Sequence, residues 1–172
     1  MAGRKNASTG AGCEPATSAG AYPNAGRCNG TALRKATRRV SQLYDSVLAP
    51  CGLKGTQRSL LIHIARAGSP TMGELSAALV LDRSALGHNL KPLERDGLVM
   101  LVPDEQDKRS RRVVLTPLGK AKLDASMALW AQAQARFEAV FGLAEAEALR
   151  ASLERIASPE FAAAFAGRDP PE

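Results

Sequence analysis

Aromatic residues are scarce: one Trp, two Tyr and four Phe in 172 residues. A core with so few rings must be filled mainly by Leu, Val and Ala, and Leu and Ala favour helix. Cysteine is sparse as well. Cys13, Cys28 and Cys51 form an odd set with no CxxC spacing, which argues against a disulfide framework or a thiolate metal site. Free thiols suit a reducing compartment. Only two histidines occur, and no HExxH, GxSxG, Walker or dinucleotide-binding pattern appears. Enzymatic work would rest on isolated carboxylates, so no catalytic residue, metal or cofactor is expected. No run of about 18 apolar residues exists, so neither a membrane span nor a membrane partner is expected. The opening MAGRKNASTGAGCEPATSAGAYPNAG holds no apolar segment of the kind a secretory signal needs. A cytoplasmic protein is expected.

What is present is basic and helix-prone. Lys and Arg number 23 against 17 Asp and Glu, a net +6 with pI near 9.6. That balance favours a polyanionic partner, nucleic acid before membrane. The length suits one domain with extensions. Residues 1–27 are rich in Gly, Ala, Ser, Thr and Pro, with few groups able to pack, and read as disordered. Residues 28–157 read as the folded domain and 158–172 as a tail, in which FAAAF adds at most a short helix.

Helical periodicity organises the flanks. Leu33, Ala36, Val40, Leu43, Tyr44, Val47 and Leu48 recur at steps of three and four, predicting a helix from Thr31 to Ala49, capped by Thr31 and stopped by Pro50 and Gly52. Arg34, Lys35, Arg38 and Arg39 lie largely off that stripe. A second helix, Thr56 to Ala67, turns Leu60, Leu61, Ile64 and Ala65 inward. Toward the C-terminus, Thr116 with Pro117 starts a long helix to Phe141. Gly142 ends it, and Ala144 to Ala157 forms another.

The informative stretch is Thr71 to Thr116. Thr71 and Glu74 form a capping box for a short helix over Met72 to Leu79. Val80 and Leu81 make a turn. Asp82 caps a helix from Arg83 to Asp96, its carboxylate accepting amide hydrogen bonds and complementing the dipole. Ala85, Leu86, Leu90 and Leu93 face inward; Arg83, Ser84, Gly87, His88 and Lys91 face outward. Pro92 predicts a local distortion. Leu98–Val102 and Arg112–Leu115 pair as a hairpin around a loop carrying Lys108, Arg109, Arg111 and Arg112. Two short helices, a tight turn and a basic hairpin, in that order, spell a winged helix-turn-helix. Small side chains near the start of the second helix allow close approach to the major groove, and the hairpin cations suit phosphates and a narrow minor groove. The fold class expected is mainly α with a small β-hairpin wing: a winged helix-turn-helix domain plus a helical dimerisation region.

The segments ELSAALVLDRSALGHNLKPLERDGLV and DEQDKRSRRVVLTPLGKAKL resemble the multiple antibiotic resistance regulator (MarR) family of bacterial transcription factors. The resemblance covers roughly Leu33 to Ile156. It implies a lobe for double-stranded DNA over 53–116 and dimerisation helices over 30–50 and 117–157. It implies a homodimer on a pseudo-palindromic operator, most commonly as a repressor. By position, Ser84, Ala85, His88, Asn89 and Lys91 fall on the recognition helix. Arg109 matches the arginine that enters the minor groove, and Asp107 the carboxylate that orients it. Gly87 departs from the usual bulkier residue and puts one base contact in doubt.

The same resemblance implies release by a small aromatic or phenolic ligand bound between the dimer helices and the DNA-binding lobe. Arg38, Tyr44 and His63 are the candidates, against the plain reading of His63 and Tyr44 as packing residues. A redox alternative rests on Cys28, close to Arg27 and a helix start, which would lower its thiol pKa; the tyrosines that accompany such a cysteine in the peroxide-sensing branch are few here. Other rivals are an architectural DNA binder without a signal, a protein-interaction module and an enzyme.

Overall fold

The structure is a computed structural model that describes residues 27–167. The predicted N-terminal extension, with Cys13 and Tyr22, therefore lies outside the described residues apart from Arg27. The chain divides into two units, one ending at Ala36 and one starting at Thr37. The elements are α1 (Asn29–Leu48), a 3-10 turn (Ala49–Cys51), α2 (Gly55–Ala67), α3 (Met72–Ala78), α4 (Arg83–Arg95), β1 (Val99–Pro103), β2 (Arg111–Leu115), α5 (Pro117–Ala125), α6 (Met127–Phe141), α7 (Leu143–Ala157) and α8 (Pro159–Phe165). The expected architecture, mainly helical with one antiparallel hairpin, is what forms. Among the described residues, no helix is long and apolar enough to cross a membrane.

The caps read from the sequence close the helices of the central lobe. Thr71 Oγ1 accepts the Glu74 N–H at 3.2 Å while Glu74 Oε2 accepts the Thr71 N–H at 2.7 Å. Asp82 Oδ1 accepts from Ala85 N–H at 2.8 Å, and Thr116 Oγ1 from Gly119 N–H at 2.9 Å. Each such cap satisfies amides that the first helical turn leaves without partners. The core beneath them is aliphatic: Leu48, Leu53, Leu60, Leu61, Ile64, Leu75, Leu86, Leu90, Leu93, Val113 and Leu123 are buried. Trp130 packs partly buried against it.

Several expectations are corrected. The first helix begins at Asn29, with the Ala32 N–H bonded to Cys28 O at 3.0 Å, so Thr31 is inside it and does not cap it. Ala65 is exposed, one residue past the buried Ile64. The long helix from Pro117 is interrupted at Ser126. Ser126 is fully buried; its hydroxyl donates to Leu123 O at 2.6 Å and accepts from Arg58 Nε at 3.1 Å. A serine bonding back to its own helix competes with the ladder and bends it. The short helix expected of FAAAF does form, as α8, but it opens earlier, at Pro159, and is capped by Ser158. The hairpin also gains an isolated bridge from a third segment. Thr71 pairs with Arg112, and the Val113 N–H reaches Pro70 O at 2.8 Å.

Pro92 does not end α4, which runs through it to Arg95. A mid-helix proline costs about 3 kcal/mol. Burying Leu86, Leu90 and Leu93 contributes roughly 1.5–3 kcal/mol each, so packing wins.

Candidate nucleic-acid interface

The inward stripe of α4 leaves a polar outer face. Arg83, Ser84, His88, Asn89 and Lys91 are exposed, while Ala85 and Gly87 are half-buried. A Cβ added at Gly87 would meet nothing within 4 Å. That glycine is not required by packing and leaves a gap on the face. The helix start points amides and the positive dipole end outward, with Asp82 satisfying one amide. Preceding it, Val80 adopts φ 51 and stays exposed, a left-handed turn residue with a branched side chain.

The wing is built by β1 and β2 in the register Val99↔Leu115 to Pro103↔Arg111. Lys108, Arg109 and Arg111 are exposed on it, as is Asp107. The Asp107 carboxylate accepts the backbone N–H of Arg109 at 3.0 Å. It therefore shapes the loop carrying Arg109, and no ion pair joins it to that guanidinium among the described residues. The guanidinium that is held by a carboxylate is Arg112, whose Nε lies 2.7 Å from Asp104 Oδ2. Asp104 is only 4% exposed. Accepting the Gln106 N–H, and then the Asp107 N–H and the nearby Arg112 charge, holds its carboxyl below the ordinary range. The basic loop thus offers three exposed cations with no ion pair among the described residues, and its fourth, Arg112, is structural. Asp104 was not singled out from the sequence; its position just after Pro103, at the foot of a predicted hairpin, was the available signal.

The three predicted ligand residues do not converge. Tyr44 lines a cavity of about 280 Å³ with Leu48, Arg58, Ile62, Arg66 and Trp130. His63 lines a different one with Pro70 and Glu74, and its Nδ1 lies 2.7 Å from Ser59 O in its own helix. Arg38 is exposed and lines neither. The residue that sequence reasoning missed is Arg58. It is 7% exposed, donates to Ser126 Oγ and to Met127 Sδ at 3.3 Å, and stacks its Cζ 4.7 Å from the centre of the Trp130 ring. No carboxylate pairs with it among the described residues, and burial, with Arg66 nearby, lowers its pKa. Tyr44, half-buried and donating to Gln134 Oε1, has its phenol pushed upward by burial and then by Glu138.

Cys28 is exposed, and its thiol is lowered by hydrogen bonding to the Thr31 side chain and backbone. Cys51 is buried, its Sγ 3.0 Å from Leu48 O.

The capped helix pair, the outward face of α4 and the basic two-stranded wing define a winged helix-turn-helix protein. Residues 52–110 match the family model described as MarR family. The chain is 34% identical over 84 residues to the multiple antibiotic resistance protein MarR of Salmonella typhimurium, covering 49% of this chain and 58% of that protein. It is 38% identical over 72 residues to the transcriptional activatory protein BadR of Rhodopseudomonas palustris, 40% and 41% of the two chains. The chain thus spans about half the length of these curated relatives. Structural similarity reaches further. The M. tuberculosis transcriptional regulator MosR, in complex with DNA, superposes with TM-score 0.69 at 35% identity, over 76% of this chain and 93% of that one. The transcriptional repressor CouR, bound to a 23-mer DNA duplex, superposes with TM-score 0.69 at 28% identity, over 77% and 94%. The chain belongs to the MarR family, whose members are DNA-binding regulators rather than enzymes.

Proposed function

We propose that this chain is a sequence-specific transcriptional regulator that binds a pseudo-palindromic operator in double-stranded DNA as a homodimer. The observation that carries the reading is the exposed polar face of α4, held by three buried leucines and followed by a wing with three exposed cations. Arg83, Ser84, Ala85, His88, Asn89 and Lys91 meet the major groove; Lys108, Arg109 and Arg111 meet phosphates and the minor groove. MosR and CouR in complex with DNA support the same use of the lobe. Dimerisation is supported by apolar surface that a single chain leaves bare, including Val140, Phe141, Leu143, Ile156, Phe161 and Phe165. Selection of a duplex from a random library, followed by titration at several salt concentrations, tests the reading. The expected result is a symmetric site bound by two chains, with affinity falling steeply with salt. A flat salt dependence, or binding with no sequence preference, overturns it.

We read the protein as a repressor released by a small aromatic acid in the cavity lined by Tyr44, Arg58 and Trp130. The buried guanidinium beside an indole suits a carboxylate on a ring. A panel of aromatic acids should displace the protein from its duplex, and Arg58→Met should abolish the response while preserving unliganded binding. A redox reading has its own support in the exposed, acid-shifted thiol of Cys28. It predicts peroxide-sensitive DNA binding that Cys28→Ser removes; equal behaviour of the two proteins rejects it.

A further inference from the structure

Beyond the groove-facing residues, we propose that Arg112 and Asp104 form a clamp that fixes the wing against the entry of the helix-turn-helix, making both positioning residues for DNA recognition. The inference rests on the DNA-binding reading above. Asp104 stands at the foot of a hairpin loop, where side chains are normally solvated, yet it is 4% exposed. A buried carboxylate persists only when its oxygens are satisfied. Here Oδ1 accepts the N–H of Gln106 at 2.8 Å and of Asp107 at 3.3 Å, while Oδ2 meets Arg112 Nε at 2.7 Å. One oxygen folds the start of the loop that bears Lys108 and Arg109; the other fastens it to β2.

Arg112 carries the connection onward. Its Nη1 donates to the carbonyl of Ser69 at 3.1 Å, in the turn between α2 and α3. Ser69 itself adopts φ 71, a strained backbone held in place by its surroundings. The backbone joins at the same point, through the Thr71–Arg112 bridge and the Val113 N–H on Pro70 O. Thr71 caps α3, and α3 leads through one short turn into α4. A single guanidinium therefore spans the loop of the wing and the start of the helix pair. The fork shape matters, since Nε and Nη1 leave the group in fixed, different directions. An ammonium is a point charge and cannot hold the two acceptors in the same relation. The clamp sets how far Lys108, Arg109 and Arg111 stand from α4, and hence whether both engage one duplex together.

The test uses the full chain with three variants: Arg112→Lys, Asp104→Asn and the two combined. The first arm is amide hydrogen exchange on the free protein. Faster exchange at Gln106, Asp107 and Val113 is expected in Arg112→Lys, with the amides of α4 unchanged; unchanged exchange at the wing overturns the clamp. The second arm uses the duplex that the wild-type protein selects from a random library. Arg112→Lys should bind it about tenfold more weakly, losing minor-groove protection under the wing while keeping major-groove protection under α4. The double variant Asp104→Asn with Arg112→Lys should lose no more than the worse single one, since the two residues act as a unit. Equal loss of both protections, or wild-type binding by Arg112→Lys, overturns the positioning role. Failure of the wild type to select any duplex overturns the DNA-binding reading instead, and the exchange arm still decides the clamp.

Discussion

Arg58 occupies a position where helical periodicity asks for a hydrocarbon. It lies in α2 between buried Leu60 and Leu61 on one side and the Leu53 turn on the other, and it too is buried. Replacing buried charge by a well-packed apolar group is commonly neutral or stabilising by about 1–4 kcal/mol. Ser126 keeps its bond to Leu123 O without it. Arg58→Met should therefore melt within about 1 kcal/mol of wild type or above it; a fall of more than about 3 kcal/mol in urea unfolding would mean that the charge is structural. Val80 is strained in the opposite way, a branched side chain at φ 51 with its surface exposed. That conformation costs about 1–2 kcal/mol for a residue with a Cβ, while glycine gives back part of the gain through a freer unfolded chain. Val80→Gly should stabilise by up to about 1 kcal/mol, and a lowered urea midpoint would refute the account. Asp104 gives a pH prediction. Its folded pKa lies below the ordinary 3.8, so its contribution is whole above that value and is lost as pH falls through the folded one. Urea midpoints against pH should drop less steeply below pH 4 in Asp104→Asn; parallel curves would show that the carboxylate is not linked to folding. Val80 could be placed in a turn from its neighbours in sequence, but the roles of Arg58 and Asp104 could not be read from theirs. The partners of Arg58, Ser126 and Trp130, lie far along the chain, and the partner of Asp104 is eight positions on, across the hairpin.

Elements whose signals are local were legible; those shaped by a distant partner were not. Thr71 with Glu74, Asp82, and Thr116 with Pro117 announced α3, α4 and α5, because a cap and its amides lie within three residues. The wing was legible from two β-branched runs around a charged loop, with β1 displaced by one residue. The break at Ser126 was not, since the alternation of Ala, Leu and Lys continues helically through it, and nothing in the local pattern shows that Ser126 is buried with its hydroxyl on Leu123 O and the Arg58 guanidinium beside it. Trp130 is a similar case: it turns to the core and to Arg58, a partner far away in sequence. Gly119 is a further case, hidden inside a helix start where alanine would look better. A Cβ there would sit 1.9 Å from Leu98 O and 3.1 Å from Leu115 Cδ1. The first contact is with backbone, so the first turn of α5 and the base of β1 would have to separate. Overpacking of that kind costs typically 1–3 kcal/mol and occasionally more, and it exceeds the fraction of a kcal/mol that alanine gains as a helix former. Gly119→Ala should lower stability by about 2 kcal/mol or more. A variant as stable as wild type in urea would show that the hairpin and α5 can part without loss.

At the scale of the whole molecule, the described residues bury an aliphatic core in the winged-helix lobe but leave apolar side chains bare on α1, α6, α7 and α8. Leu43, Val140 and Phe141 are exposed around a cavity of about 310 Å³ that Tyr44, Val47, Ala133 and Phe137 complete. Leu143, Leu153 and Ile156 on α7, and Phe161 and Phe165 on α8, add bare apolar surface. Such clustering is more than a lone soluble chain normally leaves in water. A second copy with the same faces is the occupant that the proposed operator symmetry requires, and it also supplies the second recognition helix. Val140 offers a clean probe because it is 90% exposed. A carboxylate there stays hydrated in the single chain and leaves folding intact, but it would be driven into an apolar interface in a dimer, at a cost that no partner charge offsets. Val140→Glu should keep its helical content and unfold cooperatively, yet sediment with half the wild-type mass at micromolar concentration. Operator affinity should fall together with dimerisation, since each chain then binds one half-site without the effective concentration that linkage provides. Recovery of both mass and affinity at high protein concentration would tie the two effects together. A Val140→Glu protein that remains dimeric would remove this face from the interface and leave α8, with its stacked Phe161 and Phe165, as the surface to probe next.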